Sequence, residues 1–302
     1  MEYALILYEA QGVPFPLVRL TEKVLGTSKT ANLEQFDGKF DFCETAVLLA
    51  AVHGGALSQE TVQWIDRFSE EFGKRKTALI LLESARNSAK PALCDAAEKW
   101  GGAFFFYDNL LFSPLQRGNH ISQGVAQKLI AWKRRLKDTC DMPAAELQKA
   151  VDALLQAHNT CTLCTGFGTH LRATPIEYTY ANSALYFLTE GGEKFASLAA
   201  NPHASAAVYT EYSGMGELES VQLEGIAVEI EAFSPEYLEI IGKKGYSAAN
   251  LKTMPLTLHM LKLEPERCEI LKSKFKNKGH SVRQTFNPKD LENVLKASQK
   301  SN

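Results

Sequence analysis

The chain has 302 residues, enough for two domains of ordinary size. Hydrophobic residues make up 45% and charged residues 23%, with a formal net charge of −2, so neither a disordered chain nor a nucleic-acid binder is implied. No apolar run reaches the ~18 residues of a membrane span, so no membrane partner is expected.

Residues 4–8 (Ala-Leu-Ile-Leu-Tyr) form a first buried-strand candidate. Glu2 stands where a secretory leader would be basic, and the apolar run is short, so no leader is expected. The six cysteines are scattered, which predicts reduced thiols in a cytoplasm. Residues 16–25 read as a helix opened by Pro16. Residues 45–52 form a second strand, closed by His53-Gly54-Gly55. Ser58 then caps an amphipathic helix that carries Thr61, Val62, Ile65 and Phe68. Strands at 77–82 and 103–107 flank a helix at 91–100, and a helix at 121–137 ends in a basic turn. A weaker strand at 40–42 would make five. Apolar strands alternating with helices predict a parallel sheet covered on both faces.

This order resembles the flavodoxin fold across residues 1–138, and residues 53–58 resemble the loop that flavodoxins place beside the flavin ring. The first loop departs from that pattern. It reads Glu9-Ala10-Gln11-Gly12-Val13-Pro14-Phe15, with no Ser or Thr between Tyr8 and Thr21. Pro14 and Pro16 remove two backbone donors, and Glu9 repels phosphate, so this half is not expected to hold FMN. The expected division is a flavodoxin-like domain at 1–140, a second domain at 141–285 and a tail at 286–302.

Residues 144–158 read as a helix with Leu147, Val151, Leu154 and Leu155 inward. Strands follow at 161–165, 171–180, 184–188, 204–210, 220–233 and 256–263, with a further candidate at 268–275. Tight turns between them predict an antiparallel barrel. Cys161 and Cys164 fall on a strand, where residues three apart face opposite sides, which disfavours a redox or zinc pair. In the strand at 220–233, apolar positions change from odd (Val221, Leu223) to even (Ile226, Val228, Ile230) across Gly225, which predicts a bulge there. From residue 262 onward ten Lys or Arg stand against five Asp or Glu. Lys272, Lys274, Lys276 and Lys278 would share one face of a strand, either solvated or forming an anion-attracting rim.

The succession Leu171-Arg172-Ala173-Thr174-Pro175-Ile176, Leu185-Tyr186-Phe187-Leu188-Thr189 and Gly191-Gly192-Glu193-Lys194 resembles the FMN-binding split barrel of the pyridoxamine 5′-phosphate oxidase family, over residues 144–280. The resemblance implies FMN as cofactor. It implies contacts from Arg172, Ala173, Thr174, Pro175 and Leu188, with Thr189 and Lys194 at the phosphate. It also implies a homodimer with FMN between subunits, to which Gln222 and Tyr212 are candidate contributors. Family members often carry Ser where this chain has Gly192, which removes one phosphate donor. Taken singly, Arg172 reads as a surface ion-pair partner and Lys194 as a solvated helix residue.

The implied function is an FMN-dependent oxidoreductase acting with a small-molecule substrate or electron donor; no catalytic acid or base is singled out, and no metal site is expected. The enzyme's C-terminal Arg/His substrate pattern has no counterpart after Leu263, so pyridoxamine 5′-phosphate oxidation itself is not expected. Two alternatives stay open. One is a haem-binding or haem-degrading barrel using His158, His170, His203, His259 or His280. The other is a flavin-binding module without catalysis.

Overall fold

The computed structural model describes residues 3–83, 88–111 and 121–300, and the elements below are those of the described residues. Two units divide the chain, Met1–Asp138 and Thr139–Asn302.

In the first unit, β1 (Tyr3–Tyr8), β2 (Ser28–Asn32), β3 (Cys43–Ala51), β4 (Lys76–Glu83) and β5 (Phe106–Leu111) build one parallel sheet. Its order, β2-β1-β3-β4-β5, is that of the flavodoxin-like fold. Helices α1 (Phe15–Leu25) and α4 (Gln123–Lys137) cover one face through Leu17, Val18, Leu129 and Trp132. Helices α2 (Gln59–Gly73) and α3 (Lys90–Trp100) cover the other through Ile65, Phe72, Ala92 and Trp100. Each large side chain so buried contributes roughly 1.5–3 kcal/mol. Coverage on both faces is why β3 and β4 are almost wholly apolar.

Two expectations for this unit are corrected. The fifth strand is β2, not residues 40–42, where Phe42 adopts a positive φ of 59°. As an edge strand that among the described residues pairs with β1 alone, β2 has the polar sequence Ser-Lys-Thr-Ala-Asn and no apolar signal. The last strand starts at Phe106 rather than at 103, because Ala103 and Phe104 pack beneath α2 and α3 before the sheet begins.

In the second unit, α5 (Ala144–Ala157) precedes β6 (Thr160–Phe167), β7 (His170–Glu177), β8 (Thr179–Ala181) and β9 (Ala184–Thr189). Then come α6 (Glu193–Ala200), β10 (His203–Tyr209), β11 (Glu219–Ile230), α7 (Pro235–Lys243) and α8 (Ala248–Thr253). The chain ends with β12 (His259–Lys272), β13 (Arg283–Phe286) and α9 (Pro288–Lys300). The strands form an antiparallel sheet of order β7-β6-β10-β11-β12-β9-β8, with β13 on β12, curled into a split barrel. Its core joins the α5 stripe (Leu147, Val151, Leu154, Leu155) to Leu163, Leu185, Phe187, Leu223, Leu263 and Ile270. A smaller cluster on the outer face joins Tyr186 and Met260 to Tyr237, Ile240 and Ile241 of α7.

The bulge is present but lies on the partner strand. Glu224 pairs with Arg267 and Gly225 with Pro265, so Glu266 of β12 is the extra residue. Core-facing positions in β11 stay odd from Val221 to Ala227. They flip in β12, from Leu261 and Leu263 to Cys268 and Ile270. Ile230 is apolar because α7 covers that end of the outer face. Gly225 is needed for close approach, since a Cβ there would stand 2.0 Å from the Glu264 carbonyl oxygen. The two strands expected at 256–263 and 268–275 are thus one bent strand, with Pro265 tolerated at the bulge.

The lysine run is not a strand face. Lys272 ends β12, Ser273–Lys278 is a 3₁₀ helix, and three lysines of the run are ion-paired, Lys272 to Glu219, Lys274 to Glu217 and Lys278 to Glu146. The segment set apart as a tail contains α9, whose Leu291 is buried in the barrel core; residues 301–302 lie outside the described residues. No helix among the described residues is long and apolar enough to cross a membrane.

Candidate functional site

β9 ends at Thr189, and the chain enters α6 through Glu190, Gly191 and Gly192. Gly191 and Gly192 hold φ of 132° and 116°, a region that side-chain-bearing residues avoid. The Gly191 N–H donates to Thr189 Oγ1 at 3.4 Å, and Thr189 Oγ1 donates to the Gly191 carbonyl at 3.3 Å. Among the described residues no side chain caps the N-terminus of α6. The positive end of that helix dipole is therefore presented beside this loop.

Lys194 sits in the first turn of α6 and is only 7% exposed. Its ammonium donates to the Gly191 carbonyl. Burial pushes its pKa below the usual lysine range, and the charge of Arg172 pushes the same way. Arg172 comes from β7, where it lies opposite Thr165 of β6. Its Nη1 donates to Glu193 Oε2 at 2.7 Å, and His170 Nε2 lies 3.8 Å from the same oxygen. Two cations are thus gathered at one uncapped helix N-terminus, with Glu193 as counter-ion to the outer one.

The far side carries His259, which pairs with Thr189 across β12 and β9. Its ring lies 5.3 Å from that of Phe195, and its Nδ1 is 3.3 Å from Glu229 Oε1. On the elements flanking the cluster, the hydroxyls of Thr165, Thr174 and Ser197 are buried without a hydrogen-bond partner among the described residues. A buried hydroxyl without a partner costs stability until water or a ligand meets it.

Of the residues implied by the sequence, Arg172, Thr189 and Lys194 come together. Thr174 follows Arg172 on the inner face of β7, whereas Ala173 and Pro175 lie exposed on its outer face. Leu188 points away, onto the smaller cluster with Tyr186. Tyr178 is structural, its buried hydroxyl donating to the Leu155 carbonyl at 2.8 Å. Cys161 and Cys164 do face opposite sides of β6, and burial pushes the Cys161 thiol up to about 12. His203 is exposed at the start of β10, and His280 lies 3.6 Å from Asp141. Among the described residues no group of three His, Cys, Asp or Glu could hold a metal ion. Sequence reasoning missed Glu193 and gave His259 only a haem role. The acidic residue in the first turn of α6 was a visible signal, but its partner 21 residues away was not.

No family model matches the chain, and no curated protein matches it. Solved structures do. A haem-binding protein from Mycobacterium smegmatis is 17% identical with a TM-score of 0.38, over 49% of this chain and 60% of that one. The chain therefore spans less than two thirds of that protein. A Listeria innocua protein named for pyridoxamine 5′-phosphate oxidase is 21% identical with a TM-score of 0.34, over 41% of this chain and 98% of that one. An FAD-binding protein from Mycobacterium smegmatis is 17% identical with a TM-score of 0.30, over 40% of this chain and 91% of that one.

Proposed function

We propose that the second unit binds FMN, with the phosphate on the Arg172–Thr189–Lys194 cluster, and serves as an FMN-dependent oxidoreductase. The observation that supports this is the pair of cations held together at the uncapped start of α6. Burying the Lys194 ammonium beside the charge of Arg172 costs stability that an arriving anion offsets, and a terminal phosphate brings about 1.5–2 negative charges.

The donors suit that group. Arg172 offers a planar fork, Lys194 a point charge, Thr189 a hydroxyl, and α6 its first amides. Gly192 fits the same picture. A Cβ there would stand 3.4 Å from the Lys194 Nζ on a backbone with positive φ, so the cradle draws on amides in place of a serine hydroxyl. Bound FMN would supply the electron-transfer chemistry. The chain's own residues would hold its phosphate and limit the approach of a small-molecule substrate or electron donor.

The same reading includes a homodimer. Leu171 is 82% exposed on β7, an edge strand whose outer face also exposes Ala173 and Pro175. A second copy of this chain would cover both the open edge and its apolar side chains. A reducing compartment such as the cytoplasm suits the six cysteines, all of them unpaired.

The test is the absorption spectrum of the purified protein. Flavin bands, released by heat and identified as FMN, are expected, and their loss is expected in the Arg172→Ala, Lys194→Ala double variant. A Soret band without flavin bands, or full FMN retention by the double variant, would overturn the proposal.

A further inference from the structure

In a doubly wound sheet, the crevice for a ligand opens outside the C-terminal ends of the strands where the order reverses, here β1 and β3. A cleft of about 210 Å³ lies there, and its walls include Glu9, Glu34, His53, Ser58, Glu60 and Trp64. The chain fills the anion niche of this cleft itself. Glu9 Oε1 accepts from Ser58 Oγ at 2.8 Å and from Thr61 Oγ1 at 2.9 Å. Glu9 Oε2 accepts from the Ala51 N–H at 2.8 Å. Ser58 is also the N-cap of α2, its Oγ accepting from the Thr61 N–H at 3.1 Å. The donors at this helix start, where a phosphate would seat, therefore already hold a carboxylate.

The remaining walls favour the opposite charge. Glu34 and Glu60 add two exposed carboxylates, and among the described residues neither Lys nor Arg lines the cleft. Trp64 supplies an aromatic wall of fixed orientation. Its Nε1 donates to the Leu33 carbonyl at 3.1 Å, and its ring packs 4.7 Å from Phe68 and 5.9 Å from Phe36. Glu9 Oε2, with one donor in place, retains room for another. An arriving anion meets three carboxylates. A cation meets the same three and the indole of Trp64.

We propose that this cleft binds a small organic cation, an alkyl- or arylamine, and excludes phosphorylated ligands. The site is separate from the flavin site of the second unit and does not depend on it. The test is calorimetric titration of the full chain with tyramine, agmatine and putrescine, and with inorganic phosphate as the opposing probe. At least one amine should bind one per chain, more weakly as salt rises. Replacing Glu34 and Glu60 together by Gln should weaken that binding about tenfold, the scale of two exposed carboxylates. Both side chains are exposed, so this variant keeps the fold. Trp64→Phe should remove the part of the fluorescence change that the bound amine produces. Failure of all three amines to bind overturns the proposal, as does amine binding indifferent to the Glu34/Glu60 change. Binding of phosphate, or of a second FMN per chain that survives Arg172→Ala with Lys194→Ala, overturns it as well.

Discussion

Replacing Lys194 by Met separates a ligand-binding lysine from a structural one. The side chain is 7% exposed, so an apolar stem of similar length keeps its packing. In the cofactor-free protein, burial and Arg172 both disfavour the ammonium, so its removal relieves the fold of a held charge. The Gly191 carbonyl keeps Thr189 Oγ1 as a donor at 3.3 Å. Cofactor-free stability in urea is therefore expected to stay level or rise. FMN loses a hydrogen bond to a charged donor, about 1.5–3 kcal/mol. That weakens FMN binding by roughly 10- to 150-fold. Riboflavin, which lacks the phosphate, should bind the variant as it binds the parent. Fluorescence titration with both ligands and urea unfolding without either give the three numbers. Equal loss for FMN and riboflavin, or a fall in cofactor-free stability beyond about 2 kcal/mol (the size of a lost buried contact), would refute the reasoning.

The depressed pKa of Lys194 has two consequences of opposite sign. A folded pKa below the unfolded one penalises the cofactor-free fold at neutral pH, so its stability rises as pH climbs from the depressed value to the ordinary lysine value. A bound phosphate favours the ammonium, so FMN affinity falls over the same climb; titrations across pH should show this fall in the parent and none in Lys194→Arg, whose charge persists. Gly225→Ala places a Cβ 2.0 Å from the Glu264 carbonyl oxygen, where only backbone can give way. A loss of about 1–3 kcal/mol or more is expected in thermal unfolding, and an unchanged Tm would contradict the ladder at the bulge. Leu171→Asp puts a charge on the exposed face of β7. Light scattering should find the parent dimeric and the variant monomeric, with unchanged circular dichroism; a monomeric parent would remove the dimer from the reading.

Elements buried on both faces, or built from one helical stripe, are legible in the sequence alone. β3 and β4 announce themselves because every residue from Thr45 to Ala51 and from Thr77 to Glu83 must be buried, whichever way it points. Ser58 is readable as a cap because the bond it makes, to the Thr61 N–H, spans three residues. The polar edge strand β2 was not legible, since an edge needs only one neighbour and little apolar surface. Nor was β12 as one strand, because the extra residue Glu266 reverses its pattern midway.

The split between sequence and structure is the same at the site. The run Gly191-Gly192-Glu193-Lys194 by itself determines a turn into a helix with a cation in its first turn, because backbone freedom and helix polarity act over a few bonds. Only the tertiary structure decides that Arg172 arrives beside that cation, that Glu193 holds it there, and that Leu188 turns away to the smaller cluster. In the first unit, the sequence determines that Glu9 follows β1, and the fold decides that its carboxylate reaches Ser58 and Thr61, 49 and 52 residues on. Charges and hydrogen bonds act through space, and strand register sets which distant residues share that space.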